Sequence, residues 1–213
     1  MSIKVMLVDD HKMLREGIKQ LLDFDSDIEV IMQASSGSEC MKCLKDASPD
    51  IVLLDINLPD TTGIKLLKEI KKKNRKIKVM MLTVHNEVEY LVDSFASGAD
   101  GYILKDSGSD ELIKAIKLVT KGERYIEPDL IPALNARLVQ METESDMVKS
   151  LTRREEEILS YLVEGKSNSD IGKKLDISEQ TVKNHVTALY KKIGVKDRTQ
   201  AAVFAIRNNI VSM

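Results

Sequence analysis

The chain has 213 residues, 43% hydrophobic and 31% charged, the balance of an ordinary soluble globular protein able to bury one large or two modest cores. No apolar run reaches membrane-spanning length and Met1-Ser2-Ile3-Lys4-Val5 leads straight into a strand, so a cytoplasmic protein without a membrane partner is expected. The net charge of −2 hides an asymmetry: residues 1–126 carry −2, residues 127–150 carry −3 and residues 151–213 carry +3, which suits contact of the C-terminal part with a polyanion.

In chain order, strand-like runs at 3–8, 28–34, 51–55, 79–83 and 101–104 alternate with amphipathic helices at 12–23, 37–47, 63–73, 87–97 and 109–121. The first helix shows the pattern well, with Met13, Leu14, Ile18, Leu21 and Leu22 forming one apolar stripe. Five βα units predict an α/β doubly wound, five-stranded parallel sheet with helices on both faces. Cys40 and Cys43 form a C-x-x-C, but the pair falls inside the second helix after a capping box Ser36-x-x-Glu39. The three histidines do not cluster near it, so two small buried helix residues are expected rather than a redox or zinc pair. Lys71-Lys72-Lys73 close the third helix, where the helix dipole favours cations, and Gly98 stops the fourth.

From 122 to 150 the alternation breaks. Pro128 and Pro132 bracket a short helix over 130–141, and the polar run 142–146 reads as the remainder of a linker. Apolar periodicity resumes at Leu151 and is helical to the end, with helices at 153–164, 168–175, 179–193 and 198–208. The domains are thus 1–121, a linker at 122–150, and a small all-α domain at 151–213.

Four strands end in chemistry. The first stops at Asp9-Asp10, the third at Asp55, the fourth at Thr83 and the fifth at Lys105. In a parallel sheet these endings share the carboxyl edge, where open α/β sheets bind ligands. Strand ends favour polar residues in general, which explains one such ending but not four. Two carboxylates about 4 Å apart repel by roughly 4 kcal/mol at an effective dielectric near 20. A divalent cation removes that cost, and an all-oxygen cluster suits Mg2+, whose open coordination positions phosphoryl oxygens can fill. A carboxylate facing such an ion can attack a phosphoryl donor, with Lys105 and Thr83 available to its oxygens.

Leu7-Val8-Asp9-Asp10-His11, Asp50 through Pro59 around Asp55, Met81-Leu82-Thr83 and Gly98 through Lys105 resemble the receiver domain of bacterial two-component response regulators over residues 1–121. The resemblance implies that Asp55 accepts phosphate from a sensor histidine kinase. It implies a magnesium site made by Asp10 and Asp55 side chains, Asp9 through water and the Asn57 carbonyl. Thr83 and Tyr102 are implied as a switch pair, the hydroxyl moving to the phosphoryl group and the ring turning inward, with Lys105 as the phosphoryl cation. Asp106 departs from the pattern, since many receivers have proline there.

In the C-terminal part, Val182, Val186, Leu189, Tyr190 and Ile193 define one buried face of helix 179–193. Lys183, Asn184, Thr187 and Lys191 share the opposite side, residue types suited to base edges and phosphates. Asp176-Ile177-Ser178 is a connection of helix-turn-helix length, with Ser178 placed to cap the second helix and Asn168 the first. The segments 151–155, 165–168, 177–186 and 193–201 resemble the LuxR-type helix-turn-helix domain, and the whole chain resembles the NarL/FixJ family of response regulators. This implies that helix 179–193 enters the major groove of double-stranded promoter DNA. Lys183, Asn184 and Thr187 would read the groove, while Ser167, Asn168, Thr181 and Lys191 would hold phosphates. The last helix is implied as a homodimer contact formed on activation, and RNA polymerase is a further partner of such proteins. Arg153 and Gly172 stand where proline and alanine are common; the glycine is expected to loosen its helix by about 0.5–1 kcal/mol.

The expectation is a phosphorylation-switched transcription factor that assists its own phosphoryl transfer without being a turnover enzyme. A haloacid-dehalogenase-type phosphatase would carry D-x-D after the first strand, whereas Asp9 and Asp10 are adjacent. A constitutive DNA-binding protein with a degenerate receiver would have lost Asp10, Asp55 or Lys105, and all three are present.

Overall fold

The computed structural model describes residues 2–211. The chain divides into two compact units, up to Asn135 and from Ala136 onward. In the first unit the strands are β1 (Ile3–Val8), β2 (Ile28–Ala34), β3 (Ile51–Leu54), β4 (Lys78–Thr83) and β5 (Gly101–Leu104). The helices α1 (Lys12–Leu22), α2 (Gly37–Asp46), α3 (Gly63–Lys73), α4 (Val88–Ala96) and α5 (Ser109–Thr120) alternate with them. A sixth strand, β6 (Tyr125–Ile126), pairs parallel with β5 and gives a sheet of order β2-β1-β3-β4-β5-β6 where five strands were expected.

Side chains of successive strand residues go to opposite faces, and this sheet has a core on each. Met6, Val8, Val52, Leu54, Val79, Met81 and Tyr102 pack on one side with Cys40 of α2, Leu66 and Leu67 of α3 and Leu91 of α4. Val5, Leu7, Ile51, Leu53, Met80, Leu82 and Ile103 pack on the other with Ile18 of α1 and Leu112, Ala115 and Ile116 of α5. A strand buried on both sides needs an unbroken apolar run, which is how β1, β3 and β4 read. The register pairs Val8 with Leu54, Leu54 with Met81 and Met81 with Tyr102, so Asp9 and Asp55 emerge level, with Thr83 one residue and Lys105 two residues further along the same edge.

Local differences from the sequence reading have physical causes. Cys40 is buried, but Cys43 is only half-buried. Ser36 caps α2 by accepting from the Glu39 amide, while the Glu39 carboxylate turns to Ser35 rather than completing a box with Ser36. Lys71 does more than answer a helix dipole: its ammonium donates to the Ile77 carbonyl at 2.8 Å and pairs with Asp100. The Asp100 carboxyl feels burial, which raises its pKa. Bonds from Lys71, the Val79 amide and Lys78 outweigh that and hold it below the usual carboxylate range.

A short 3-10 turn (Pro128–Leu130) leads into α6 (Ile131–Ser150), which runs through the polar segment 142–146 that had read as non-helical linker. It has no buried residue among those described, so no apolar stripe marks its length.

The second unit holds α7 (Arg153–Val163), α8 (Asn168–Leu175), α9 (Glu179–Lys192) and α10 (Arg198–Arg207) around Ile158, Leu159, Leu162, Ile171, Val182, Val186, Leu189 and Phe204. Thr152 and Glu155 form a capping box on α7, and Glu155 also pairs with Lys192 at 2.7 Å. The cap of α8 is Ser167, whose hydroxyl accepts from the Asp170 amide; Asn168, expected as the cap, is the first helical residue. Ser178 caps α9 as expected. Gly172 has a steric reason to lack a side chain: a Cβ there would lie 2.7 Å from the Ile177 carbonyl oxygen in the turn between α8 and α9.

Gly63 is the tightest position next to the Asp55 strand end. A Cβ at Gly63 would sit 2.0 Å from the Asp55 carbonyl oxygen, and the Gly63 amide donates to Ile56 at 2.7 Å. Gly63→Ala is expected to destabilise the first unit by on the order of 3 kcal/mol, the upper end for overpacking. Thermal unfolding checks it; an unchanged midpoint would contradict the close approach.

Candidate functional site

The strand ends bring Asp9, Asp10, Asp55, Thr83 and Lys105 to one edge. The Lys105 ammonium lies 2.6 Å from one Asp55 oxygen and 2.7 Å from an Asp9 oxygen. Asp9 and Asp55 are only 3% and 2% exposed, so this ion pairing takes place away from water. Burial pulls the Lys105 pKa down, but hydrogen bonds and charge attraction from Asp55 and Asp9 more than offset it, and the group stays above its ordinary value. A raised lysine contributes its pairing fully through neutral pH and loses it only as pH climbs past that raised value. The other Asp9 oxygen accepts from the His11 amide at 2.8 Å, and Arg15 donates to the Asp9 carbonyl. Asp10 is exposed and lies 2.7 Å from the His11 ring.

Carboxylate oxygens of Asp9, Asp10 and Asp55 and a His11 nitrogen all lie within 4.8 Å of one another, a cluster that could hold a metal ion. The carboxylates of Asp9 and Asp55 share the Lys105 ammonium, and Asp10 adds a third carboxylate to the cluster. The second Asp55 oxygen, Oδ1, is buried and has no hydrogen-bond partner in the protein. A buried unpaired acceptor is costly, and this one belongs to the residue at the centre of the acidic group. The donor set, all hard oxygen apart from one imidazole, fits a divalent cation.

A second set of contacts joins β4, β5 and the segment after β4. The Thr83 hydroxyl, fully buried, accepts from the His85 amide at 3.2 Å, and the Tyr102 hydroxyl donates to the His85 carbonyl at 2.9 Å. Tyr102 is fully buried, its ring inside the core, and burial pushes its phenol above the ordinary value. The His85 ring lies 3.0 Å from the Asn57 side-chain amide through Nε2, 3.3 Å from Glu87 through Nδ1, and 4.3 Å from the Tyr90 ring centre. His85 has no periodic signature in the sequence because its partners come from the segment after β3, from β5 and from the start of α4; its place two residues beyond Thr83 is the one local signal.

On α9, Lys183, Asn184, Thr187 and Lys191 are exposed, opposite buried Val182, Val186 and Leu189. Lys183 pairs with Glu179 at 2.9 Å, one turn earlier. The hydroxyls of Ser167 and Thr181 are already engaged, Ser167 with Asp170 and Thr181 with Ser178, and Asn168 is half-buried.

A parallel α/β unit with an acidic, lysine-bridged carboxyl edge, followed by a four-helix unit with a polar-faced penultimate helix, defines a receiver joined to a helix-turn-helix domain. Family profiles agree: the response regulator receiver domain matches residues 5–117, and the luxR family of bacterial regulatory proteins matches residues 149–205. The nitrate/nitrite response regulator NarL of Escherichia coli K12 is 38% identical over 97% of this chain and 96% of its own length. The transcriptional regulatory protein DegU of Brevibacillus brevis is 34% identical over 100% and 96%. A crystal structure of the response regulator ChrA of a heme-sensing two-component system covers 99% of both chains at 34% identity with a TM-score of 0.54. The chain belongs to the NarL/FixJ family of two-component response regulators, a family of transcriptional regulators, and carries a receiver and a LuxR-type DNA-binding domain. None of its described helices is long and apolar enough to cross a membrane.

The acidic pocket makes a prediction of its own. Lys105→Met leaves buried carboxylates uncompensated and is expected to cost about 3–5 kcal/mol, the range for removing one partner of a buried ion pair. A divalent metal salt should then raise the melting temperature of the variant by more than that of the wild type. Equal shifts would mean that Lys105 and a cation do not share the same negative charge.

Proposed function

We propose that Asp55 is the phosphoacceptor of a cytoplasmic regulator in which 1–121 receives the signal, 122–150 links and 151–213 binds promoter DNA. The observation that carries this reading is the unpaired, buried Asp55 Oδ1 beside two further carboxylates and under the Lys105 ammonium. Asp10 and Asp55 would hold Mg2+ with Asp9 and the Asn57 carbonyl in support. When bound, the ion supplies charge neutralisation for an incoming phosphoryl group.

The residues divide the work by type. An Asp55 carboxylate oxygen forms the new bond to phosphorus; the bond from phosphorus to the donor breaks, and its electron pair leaves with the donor. In the cell that donor is a sensor histidine kinase. Lys105 is already within reach of Asp55 and exchanges one carboxylate contact for a phosphoryl oxygen. Thr83 has a hydroxyl that can leave the His85 amide to donate to another. The inward ring of Tyr102, held by the His85 carbonyl, is the partner of that exchange. The phosphoryl group thereby biases an equilibrium between two arrangements of the segment after β4.

In the second unit, exposed Lys183, Asn184 and Thr187 enter the major groove, and Lys191 meets phosphate. Ser167, Asn168 and Thr181 approach the backbone at the starts of α8 and α9. A net charge of only +3 per C-terminal part argues for two copies on two half-sites, with α10 as the contact between them.

Incubation with acetyl phosphate and magnesium should add one phosphoryl group to the wild type, none to Asp55→Ala, and none when metal is chelated. Intact mass reads the result; an equal adduct on Asp55→Ala would overturn the assignment. The phosphorylated protein should bind its promoter about 5- to 150-fold more tightly, the usual range of coupling between sites. For the DNA face, Lys191→Ala should weaken binding to all sequences alike and lower the salt slope by about one. Asn184→Ala should instead cost about 1–3 kcal/mol on the specific site and relax its sequence preference. Binding isotherms on matched and scrambled duplexes separate the two.

A further inference from the structure

Glu127 is a buried carboxylate with no place in the chemistry above. It follows β6, is 9% exposed, and forms no ion pair among the described residues; its partners are neutral donors. Its Oε2 accepts from the Leu104 amide at 3.3 Å and from the Ser107 hydroxyl. Those residues flank Lys105 on both sides. The Glu127 amide in turn donates to the Tyr102 carbonyl at 3.0 Å, and the Leu130 amide donates to the Glu127 carbonyl at 3.0 Å.

The segment that carries Lys105 is therefore fixed at few points. The Lys105 amide donates to Thr83 at 2.8 Å, the Ser107 amide closes a turn onto Leu104 at 3.2 Å, and Glu127 clamps both ends of that turn. Asp106 occupies the middle of it, where a proline ring would have limited the backbone by itself. Here the constraint comes instead from a side chain that lies outside the βα units, at the root of the segment entering α6.

Resting on the assignment of Asp55 as phosphoacceptor, we infer that Glu127 is a positioning residue for Lys105, holding the 104–107 turn so that the ammonium bridges Asp55 and Asp9 and meets the transferred phosphoryl group. The same residue precedes the 3-10 turn ahead of α6, where the Leu130 amide donates to its carbonyl.

The test uses the full-length protein with acetyl phosphate and magnesium, following the adduct by intact mass against time. Glu127→Ala should slow phosphorylation by about tenfold, within what a misplacement near 1 Å can cost. Magnesium affinity, read by calorimetry, should not fall, because the acidic cluster is intact and a displaced Lys105 leaves more of its charge to the cation. Glu127→Gln keeps an acceptor of the same shape and should recover most of the rate, and a Glu127→Ala melting transition like that of the wild type shows that lost rate is not lost folding. In a Lys105→Met background Glu127→Ala should have no further effect, since the two act as one unit. A wild-type rate in Glu127→Ala, or the same slowing with and without Lys105, would overturn the inference while leaving Asp55 in place. Wild-type protein that takes up no phosphoryl group would overturn the Asp55 assignment and this inference together.

Discussion

One ammonium shared by two buried carboxylates governs the first unit. Lys105 bridges Asp55 and Asp9 at hydrogen-bond distance where water cannot screen them. A buried ion pair is seldom a net source of stability, but losing one partner is costly, so the rest of the unit is built to keep these groups in place. Parallel register sets Asp9 and Asp55 level, Gly63 admits the close turn after Asp55, and the Thr83 carbonyl holds the Lys105 amide. The pocket still holds a third carboxylate, on Asp10, and the buried Asp55 Oδ1 without a hydrogen-bond partner. It is a poor resting place for protein alone and a cluster that could hold a metal ion.

Around that pocket the hydrogen bonds are few and exchangeable. Thr83 and Tyr102 are both tied to His85, one to its amide and the other to its carbonyl, and the His85 ring spans Asn57 and Tyr90. A change at Asp55 that recruits the Thr83 hydroxyl therefore acts on a segment whose other restraints are single bonds. The apolar faces of the sheet, packed on both sides, give that segment a rigid frame to move against. In the second unit the same economy holds: caps at Thr152, Ser167, Ser178 and Asp197 fix the helix starts, and the exposed side of α9 is left polar.

Much of this was legible in the residues because periodicity reports burial directly. Strands buried on both faces read as unbroken apolar runs, and their polar endings carried the site; the five long strands and nine of the helices lie within a residue or so of expectation. What escaped notice lacked periodicity or depended on distant partners. β6 is two residues long and has no pattern to detect. The second half of α6 is polar because none of its side chains is buried. Ser167 and Asn168 are adjacent cap-type residues, and only backbone geometry separates them. Gly172 looked like a weakness in a helix until the Ile177 carbonyl was seen beside it. Glu127 reads as one more acid on a polar linker; its meaning lies in the Leu104 amide, 23 residues earlier.

The most direct measurement is a crystal structure of the protein with magnesium and beryllofluoride, a stable mimic of a phosphoryl group. Beryllium is expected bonded to an Asp55 oxygen, with Lys105 and Thr83 in contact with its fluorines and the cation among Asp10, Asp55 and Asp9. A mimic bound elsewhere, with the Lys105–Asp55 pair and the Thr83–His85 bond both undisturbed, would contradict that arrangement.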